Sequence, residues 1–278
     1  MAMQLKRLAK HSLKSLGSAI VKLSDLFGEQ VHYRRRGPTS FAFGATLVYD
    51  LLHFHPEIIM RIDAYENKYP EHYHDEVIRL AREKGVPVVH KQGRMITDGQ
   101  QRVFSICAEF VKWKDEMLPG SHVVLVNPSN PSNVGAIIRS ALAFGIHDVA
   151  IIKEDFDTFS PATIRVSMGT RLGMRVETFS TFDEYRERFP DNAIYTFMLD
   201  GAKSLSEVEK RAPFTLVFGN ETTGLPAEFA TYGQAVFIEQ GNEVDSLNVS
   251  VSAAIGVYAF TRACAAVEGA DISGAGIS

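Results

Sequence analysis

Apolar positions along the chain follow two rhythms. Between about residues 40 and 115 the pattern is mixed. Helically spaced apolar residues predict a helix over Ala45–Leu52, and "IIMRIDAY" (58–65) suits a strand. "HDEVIRLAREKG" reads as a charged amphipathic helix stopped at Gly85, before the short strand "VPVVH". "LPGS" (118–121) punctuates a boundary. After it, the short apolar runs "HVVLV", "DVAII", "MRVETF", "AIYTFML", "FTLVF" and "AVFIE" alternate with helical patterns. Those helices are predicted from Asn133, over Pro161–Met168, over Phe182–Arg188 and from Leu247. Strands this uniformly apolar, separated by helices, predict an α/β chain whose parallel sheet is covered on both faces.

The helix predicted from Asn133 follows "NPSNPS", a run of turn chemistry. At 100° per residue Val134, Ile137, Ile138, Ala141 and Leu142 form its core stripe. Arg139 points away from that stripe, over a floor of Gly135, Ala136 and Ala143. A guanidinium near a helix N-terminus, with Asn133 as the cap, suits a phosphate or another anion. A plain N-cap with a solvated arginine is the structural alternative.

Two further stretches repeat the device of a strand running into a polar glycine loop. "LVFGNETTGLP" (216–226) ends a buried strand in Gly219, Asn220 and Glu221. "IEQGNEVDSLNVSVSAAIGVYAF" (238–260) leads through Asp245-Ser246 into an apolar helix. Open parallel sheets bind ligands at such strand ends. Neither stretch is a GxGxxG fingerprint, which argues against a dinucleotide enzyme. Ser246 and Asn248 could each cap the final helix. That helix is apolar on most of its circumference, which implies burial on more than one side, by the sheet and by a second subunit.

Charge alters the picture in one place. The net charge is −4, yet residues 1–40 carry eight Lys/Arg against Asp25 and Glu29, a local +6 that leaves −10 for the rest. A basic arm of this kind suits phosphate contacts; a solvated leader fits equally well. No apolar run with a cleavage site opens the chain, and Asn248, Ser250, Ser252 and Arg262 interrupt the apolar stretch Leu247–Val267, so neither a secretory signal nor a membrane span is expected. Cys107 and Cys264 form no disulfide framework or metal knuckle, and a cytoplasmic setting is the expectation. His53, His55, His72 and His74 are metal ligands by type, but side chains two apart on a helix diverge, and no metal is expected. Trp113 and the aromatics near it read as core or as a module interface.

Taken in order, three motifs are specific. Pro131-Ser132-Asn133-Val134-Gly135-Ala136 with Arg139 and "AFG", then "LVFGNE" with Gly224-Leu225, then Ser246-Leu247-Asn248-Val249-Ser250 with Ala253-Ala254, resemble the SpoU/TrmH branch of the SPOUT RNA methyltransferases. The resemblance covers about residues 120–265, and "SMGT" (167–170) looks like the family's intermediate segment. Residues 40–110 look like the small α/β RNA-binding module, related to kink-turn-binding ribosomal proteins, that many members carry in front. The implied layout is a basic arm (1–38), an RNA substrate-binding module (39–117), a SPOUT methyltransferase domain with a trefoil knot (118–267) and a tail (268–278).

The resemblance implies S-adenosylmethionine as cofactor, a homodimer with a shared site, and methyl transfer to a ribose 2′-hydroxyl of tRNA or rRNA. By position, the cofactor contacts would be Leu199, Gly201, Gly219, Asn220, Glu221, Ile238, Gln240, Gly241 and Leu247. Asn133, Arg139, Glu221, Ser246 and Asn248 match the family's reacting centre. A catalytically silent RNA-binding scaffold is the other class of reading, and the intact polar set favours the enzyme. Two departures concern loop shape. Thr222-Thr223 stand where the family commonly has glycine after the motif-two glutamate, and Glu239-Gln240 replace the usual Pro-Met.

Overall fold

The computed structural model describes residues 33–65, 72–92, 96–97, 103–199, 203–241 and 243–268. Most of the basic arm (1–32), Gly201 and residues 269–278 of the tail lie outside the described residues. The first part comprises β1 (Thr39–Phe43), α1 (Ala45–Phe54), β2 (Ile59–Tyr65), α2 (His74–Glu83), β3 (Val88–Lys91), the short pair β4 (Ile96–Thr97) and β5 (Val103–Phe104), and β6 (Ile106–Val111). Its main sheet has the order β1-β6-β2-β3, with β6 antiparallel to β1 and β2. Leu47, Val48, Leu51 and Leu52 of α1 and Val77 of α2 pack against Ile62, Ile106, Ala108 and Phe110. α2 stops where expected, Gly85 having a φ of 70°. β1 and β6 had no clear sequence signal. β6 is buried on both faces over most of its length, so its apolar residues do not alternate with polar ones.

The second part runs β7 (His122–Val126), α3 (Pro131–Ala143), β8 (Asp148–Ile152), α4 (Pro161–Val166), a 3₁₀ turn (Thr170–Gly173), β9 (Arg175–Phe179) and α5 (Phe182–Arg188). It continues with β10 (Ala193–Phe197), β11 (Lys203–Ser204), β12 (Phe214–Phe218), β13 (Gln234–Phe237) and α6 (Val249–Glu268). All pairs in the seven-stranded sheet are parallel, in the order β11-β13-β10-β12-β7-β8-β9. This is the α/β architecture with a parallel sheet that the apolar runs predicted. Two helix starts differ from expectation. α3 begins at Pro131, two residues before Asn133, and α6 begins at Val249, two residues after Leu247.

α6 meets the sheet through Ala253, Gly256, Val257 and Phe260, all buried. A Cβ on Gly256 would lie 2.7 Å from the Phe197 ring, so glycine lets the helix sit directly on the Phe197–Phe218 stack. The opposite face leaves Val251, Ile255 and Tyr258 exposed by 46%, 37% and 50%. The helix is long and apolar enough by composition to cross a membrane, but its place in the fold is against the sheet.

The two sheets share core. Phe159, Ile164 and Leu172 pack with the α1 residues, and Ser40 Oγ donates to Phe159 O at 2.5 Å. Trp113 sits at this junction, 4.2 Å from the Phe159 ring. Arg171 is fully buried there, its Nη2 2.8 Å from Asp115 Oδ2 and its guanidinium 3.9 Å from the Phe159 ring centroid. Lys112 Nζ donates to Tyr33 Oη, Arg35 O and Asp157, and Arg36 pairs with Asp155 at 3.0 Å. Part of the basic "YRRRG" segment is therefore spent on the chain's own carboxylates.

Candidate active site

Strand order decides where a ligand can enter. From β7 the chain builds outward through β8 to β9, and the later strands β12, β10, β13 and β11 lie on the other side of β7. Connections leaving the C-terminal ends of neighbouring β7 and β12 therefore diverge and open a crevice, where parallel α/β sheets bind their ligands. The segments after those two strands face each other here. Glu221, beyond β12, accepts from Ser129 N (3.0 Å), Ser129 Oγ (2.6 Å), Asn130 N (3.0 Å) and Asn133 Nδ2 (3.1 Å). Partial burial alone would raise its pKa, but the Ser129 hydroxyl, the backbone N–H groups and the Asn133 amide override it and hold the carboxyl down at about 2. Glu221 is therefore a fixed anion that clamps two loops more than 80 residues apart.

The helix cap differs from the sequence reading. Asn130 is the N-cap of α3, its side chain accepting from Ser132 N at 2.9 Å. Asn133 is the third helical residue, its amide free of capping and shared between two partners. It donates to Glu221, and its Oδ1 accepts from Asn248 Nδ2 at 3.3 Å. The floor proposed for Arg139 also needs correction. Gly135 is buried against α4, where a Cβ would lie 2.7 Å from Thr163 O. Its smallness serves helix packing. Arg139 is exposed and makes no hydrogen bond or ion pair among the described residues. By helical geometry it stands about 9 Å along α3 and about 120° around it from Asn133.

Gly219 is required by its own loop. A Cβ there would lie 2.2 Å from Gly224 C and 2.3 Å from Leu225 N. Asn220 closes the loop by exchanging backbone hydrogen bonds with Gly224. Its side chain accepts from Thr222 N and Thr223 N and donates to Asn127 O at 2.9 Å. Positive φ falls on Gly224 (67°) and not on Thr222 or Thr223, so threonines are tolerated where glycine is usual.

Beside this loop lies a cavity of ≈ 540 Å³ at the C-terminal ends of β10, β12 and β13. Of the residues expected to hold a cofactor, Leu199, Gly219, Asn220, Glu221, Ile238, Gln240 and Leu247 line it, and so does Ser246. Gly241 follows Gln240 without lining it; Asn133 meets the lining through Glu221, Asn248 follows Leu247, and Arg139 is not among the lining residues. Among the described residues the lining holds two carboxylates, Glu221 and Glu239, and no lysine, arginine or histidine. Glu239 accepts from the Ser206 hydroxyl, which with Ser204 brings its pKa to about 2. Sequence reasoning missed Ser129 and Asn130, which hold Glu221, and Ser204 and Ser206, which hold Glu239. The repeated Asn-Pro-Ser was the signal available for the first pair.

The third motif resolves into two roles. Asn248 directly precedes α6, and its Oδ1 accepts from Ser250 N (2.8 Å) and Ser250 Oγ (2.6 Å), a capping arrangement. Ser246 does not cap and stands at the cavity wall. The "SMGT" segment forms the turn after α4. There Met168 takes a left-handed φ of 51° with half its surface exposed, at a cost of about 1 kcal/mol for a side chain in that conformation. The histidines have local partners: His53 contacts Tyr49, and His55 contacts Glu57 and Trp113. Among the described residues no group of three His, Cys, Asp or Glu is placed to hold a metal.

The profile of the SpoU rRNA Methylase family matches residues 120–258, half of the chain. The chain belongs to that family. The match spans β7 to α6 and contains all three motifs. Ribosomal RNA small subunit methyltransferase G 2 of Syntrophobacter fumaroxidans is 34% identical over 147 residues, which cover 53% of this chain and 28% of that protein. The 23S rRNA (adenosine(1067)-2′-O)-methyltransferase of Streptomyces laurentii is 32% identical over 154 residues, 53% of this chain and 56% of that protein. The SpoU-family chain thus spans about half or less of the length of these two relatives. Among solved structures, the SpoU methyltransferase AviRb from Streptomyces viridochromogenes in complex with AdoMet superimposes with a TM-score of 0.69 at 19% identity, over 85% of this chain and 94% of that one. The AdoMet-bound rRNA methyltransferase from Sinorhizobium meliloti gives 0.67 at 21% identity, over 84% and 97%. At these identities the likeness is one of fold, and it extends over both sheets.

Proposed function

We propose that this SpoU-family chain transfers a methyl group from S-adenosylmethionine to a ribose 2′-hydroxyl of rRNA or tRNA. The observation that carries the reading is the cavity lining. Its apolar strand ends, two ionised carboxylates and, among the described residues, lack of any basic side chain suit a ligand that is both cationic and largely apolar. A phosphate-bearing dinucleotide would find no positive charge there. S-adenosylmethionine fits this donor set, and when bound it supplies a methyl group already activated by its sulfonium. Leu199, Ile238 and Leu247 would enclose its body, Gly219 and Asn220 shape the loop against it, and Gln240 and Gly241 border it.

The chain's own residues then have to place one sugar oxygen and manage its proton. A guanidinium keeps its proton, so Arg139 acts by clamping a substrate phosphate and stabilising alkoxide charge as it develops. Asn133, held between Glu221 and Asn248, has its amide fixed before substrate arrives and orients the acceptor. Ser246 offers a hydroxyl at the cavity wall.

A homodimer completes the site in this reading, because Arg139 does not line the cavity of its own chain. The exposed stripe Val251, Ile255 and Tyr258, at helical spacing on α6, is the surface for the second copy. The layout proposed with it is the arm 1–38, the RNA module 39–117, the knotted SPOUT domain 118–267, whose loops 219–225 and 238–248 border the cavity, and the tail 268–278. A cytoplasmic setting accords with an RNA substrate and with neither cysteine lying in a disulfide.

Labelled S-adenosylmethionine incubated with the protein and total RNA should give labelled RNA whose modified positions map as 2′-O-methyl ribose. Base methylation, or no label, would refute the assignment. Ile255→Glu should elute as a monomer and lose transfer; a dimer of normal activity would move the interface elsewhere. Gly219→Ala should weaken S-adenosylmethionine binding by about 10- to 100-fold in calorimetry, because the clash is with backbone and the loop must open.

A further inference from the structure

Met168 is a strained residue that the fold has no evident use for. The hydrogen bonds of its turn are made by backbone and by its neighbours' hydroxyls, not by its own side chain: Met168 N to Arg165 O at 3.0 Å, Gly169 N to Ile164 O at 3.2 Å, Ser167 Oγ to Ile164 O at 2.9 Å and Thr170 Oγ1 to Ser167 O at 2.7 Å. Its left-handed conformation would suit glycine better, and the side chain it carries instead is apolar and half exposed.

Its neighbours fix its place. Ser167 N lies 3.1 Å from the point a Cβ on Gly135 would occupy. Gly135 and Arg139 are one turn apart and so share a flank of α3. The following turn, Thr170–Gly173, packs on α3 as well. On the other side Gly169 lies against α1, where a Cβ would come within 2.5 Å of Asp50 Oδ2. The half-exposed methionine therefore stands in the turn between α1 and the flank of α3 that carries Gly135 and Arg139.

We propose that Met168 contacts an unpaired nucleobase of the RNA, at or next to the nucleotide whose ribose is methylated, while Arg139 holds the adjoining phosphate. This rests on the methyltransferase reading above. The occupant is argued from chemistry. A flexible, polarisable thioether packs well against a flat aromatic ring, and RNA read by proteins presents its splayed bases as such rings. Arg139, one turn beyond Gly135 on α3 and without a hydrogen bond or ion pair among the described residues, supplies the matching charge for the backbone of the same strand.

Met168→Gly and Met168→Leu separate this role from a structural one. The probe is a pool of in-vitro transcribed rRNAs and tRNAs with tritiated S-adenosylmethionine and the full chain. The glycine variant should keep or raise Tm and keep S-adenosylmethionine affinity by calorimetry, yet need about tenfold more RNA for half-saturation. The leucine variant, which restores an apolar side chain, should return close to the unchanged protein. An unchanged half-saturating RNA concentration in the glycine variant overturns the inference alone, as does an equal loss in the leucine variant. No incorporation by the unchanged protein overturns this inference and the parent reading together.

Discussion

Arg139→Ala is expected to lower methyl transfer by about a thousandfold, the scale seen when a charge-stabilising donor is removed from a reacting centre. S-adenosylmethionine affinity should stay unchanged, because Arg139 does not line the cavity. Tm should also hold, because the side chain is exposed and makes no hydrogen bond or ion pair among the described residues. The informative experiment pairs single-turnover transfer with calorimetric cofactor binding on the same preparation. A tenfold or larger fall in cofactor affinity would refute the role, since it would place Arg139 on the donor and not on the acceptor. Arg139→Lys tests the geometry: it keeps the charge but loses the planar fork, so it should recover only a small part of the rate.

Arg171→Leu should destabilise the protein by about 3–5 kcal/mol in urea unfolding, the usual consequence of removing one member of a buried ion pair. The guanidinium is wholly buried, and burial lowers its pKa while Asp115 opposes that shift. Beyond Asp115 it donates to Thr158 Oγ1 and Met174 O, both at 3.1 Å. Asp115 in turn accepts from Trp113 Nε1 at 2.8 Å and Val176 N at 3.1 Å. Removing the cation strands that carboxylate in the seam between the two sheets. Arg171→Leu combined with Asp115→Asn should be more stable than Arg171→Leu alone, because the amide oxygen still accepts while the buried charge is gone. If the single variant lost less than about 1 kcal/mol, the pair would be carrying little of the seam's stability.

Much of the second sheet was legible because its information is local. "HVVLV", "DVAII" and "FTLVF" became strands with those boundaries, and Phe182–Arg188 became the expected helix. Each is a run whose apolar and β-branched composition decides its conformation within a few residues. Boundaries failed where two nearby residues could play the same part. Asn130 and Asn133 are both competent caps, and α3 starts from the first because Glu221 and Asn248 engage the side chain of the second. Gly135 was read as floor beneath Arg139, and Gly219 as a place where a ligand can approach the backbone. Both turned out to admit other parts of the chain, α4 and the Gly224 backbone.

By itself, then, the sequence determined the kind of sheet, the apolar helix faces, the uneven charge and the three polar motifs of a SpoU-family chain. These depend on residue type and spacing over one element, so nearest-neighbour chemistry is enough to specify them. Only the tertiary structure decided that Glu221 locks the segment after β7, that among the described residues the cavity wall carries carboxylates without cations and Arg139 stays unengaged, and that Met168 is left exposed. Each of those facts is a meeting of groups far apart in the chain. Whether such groups come within hydrogen-bond reach depends on strand order and packing, which no local pattern contains.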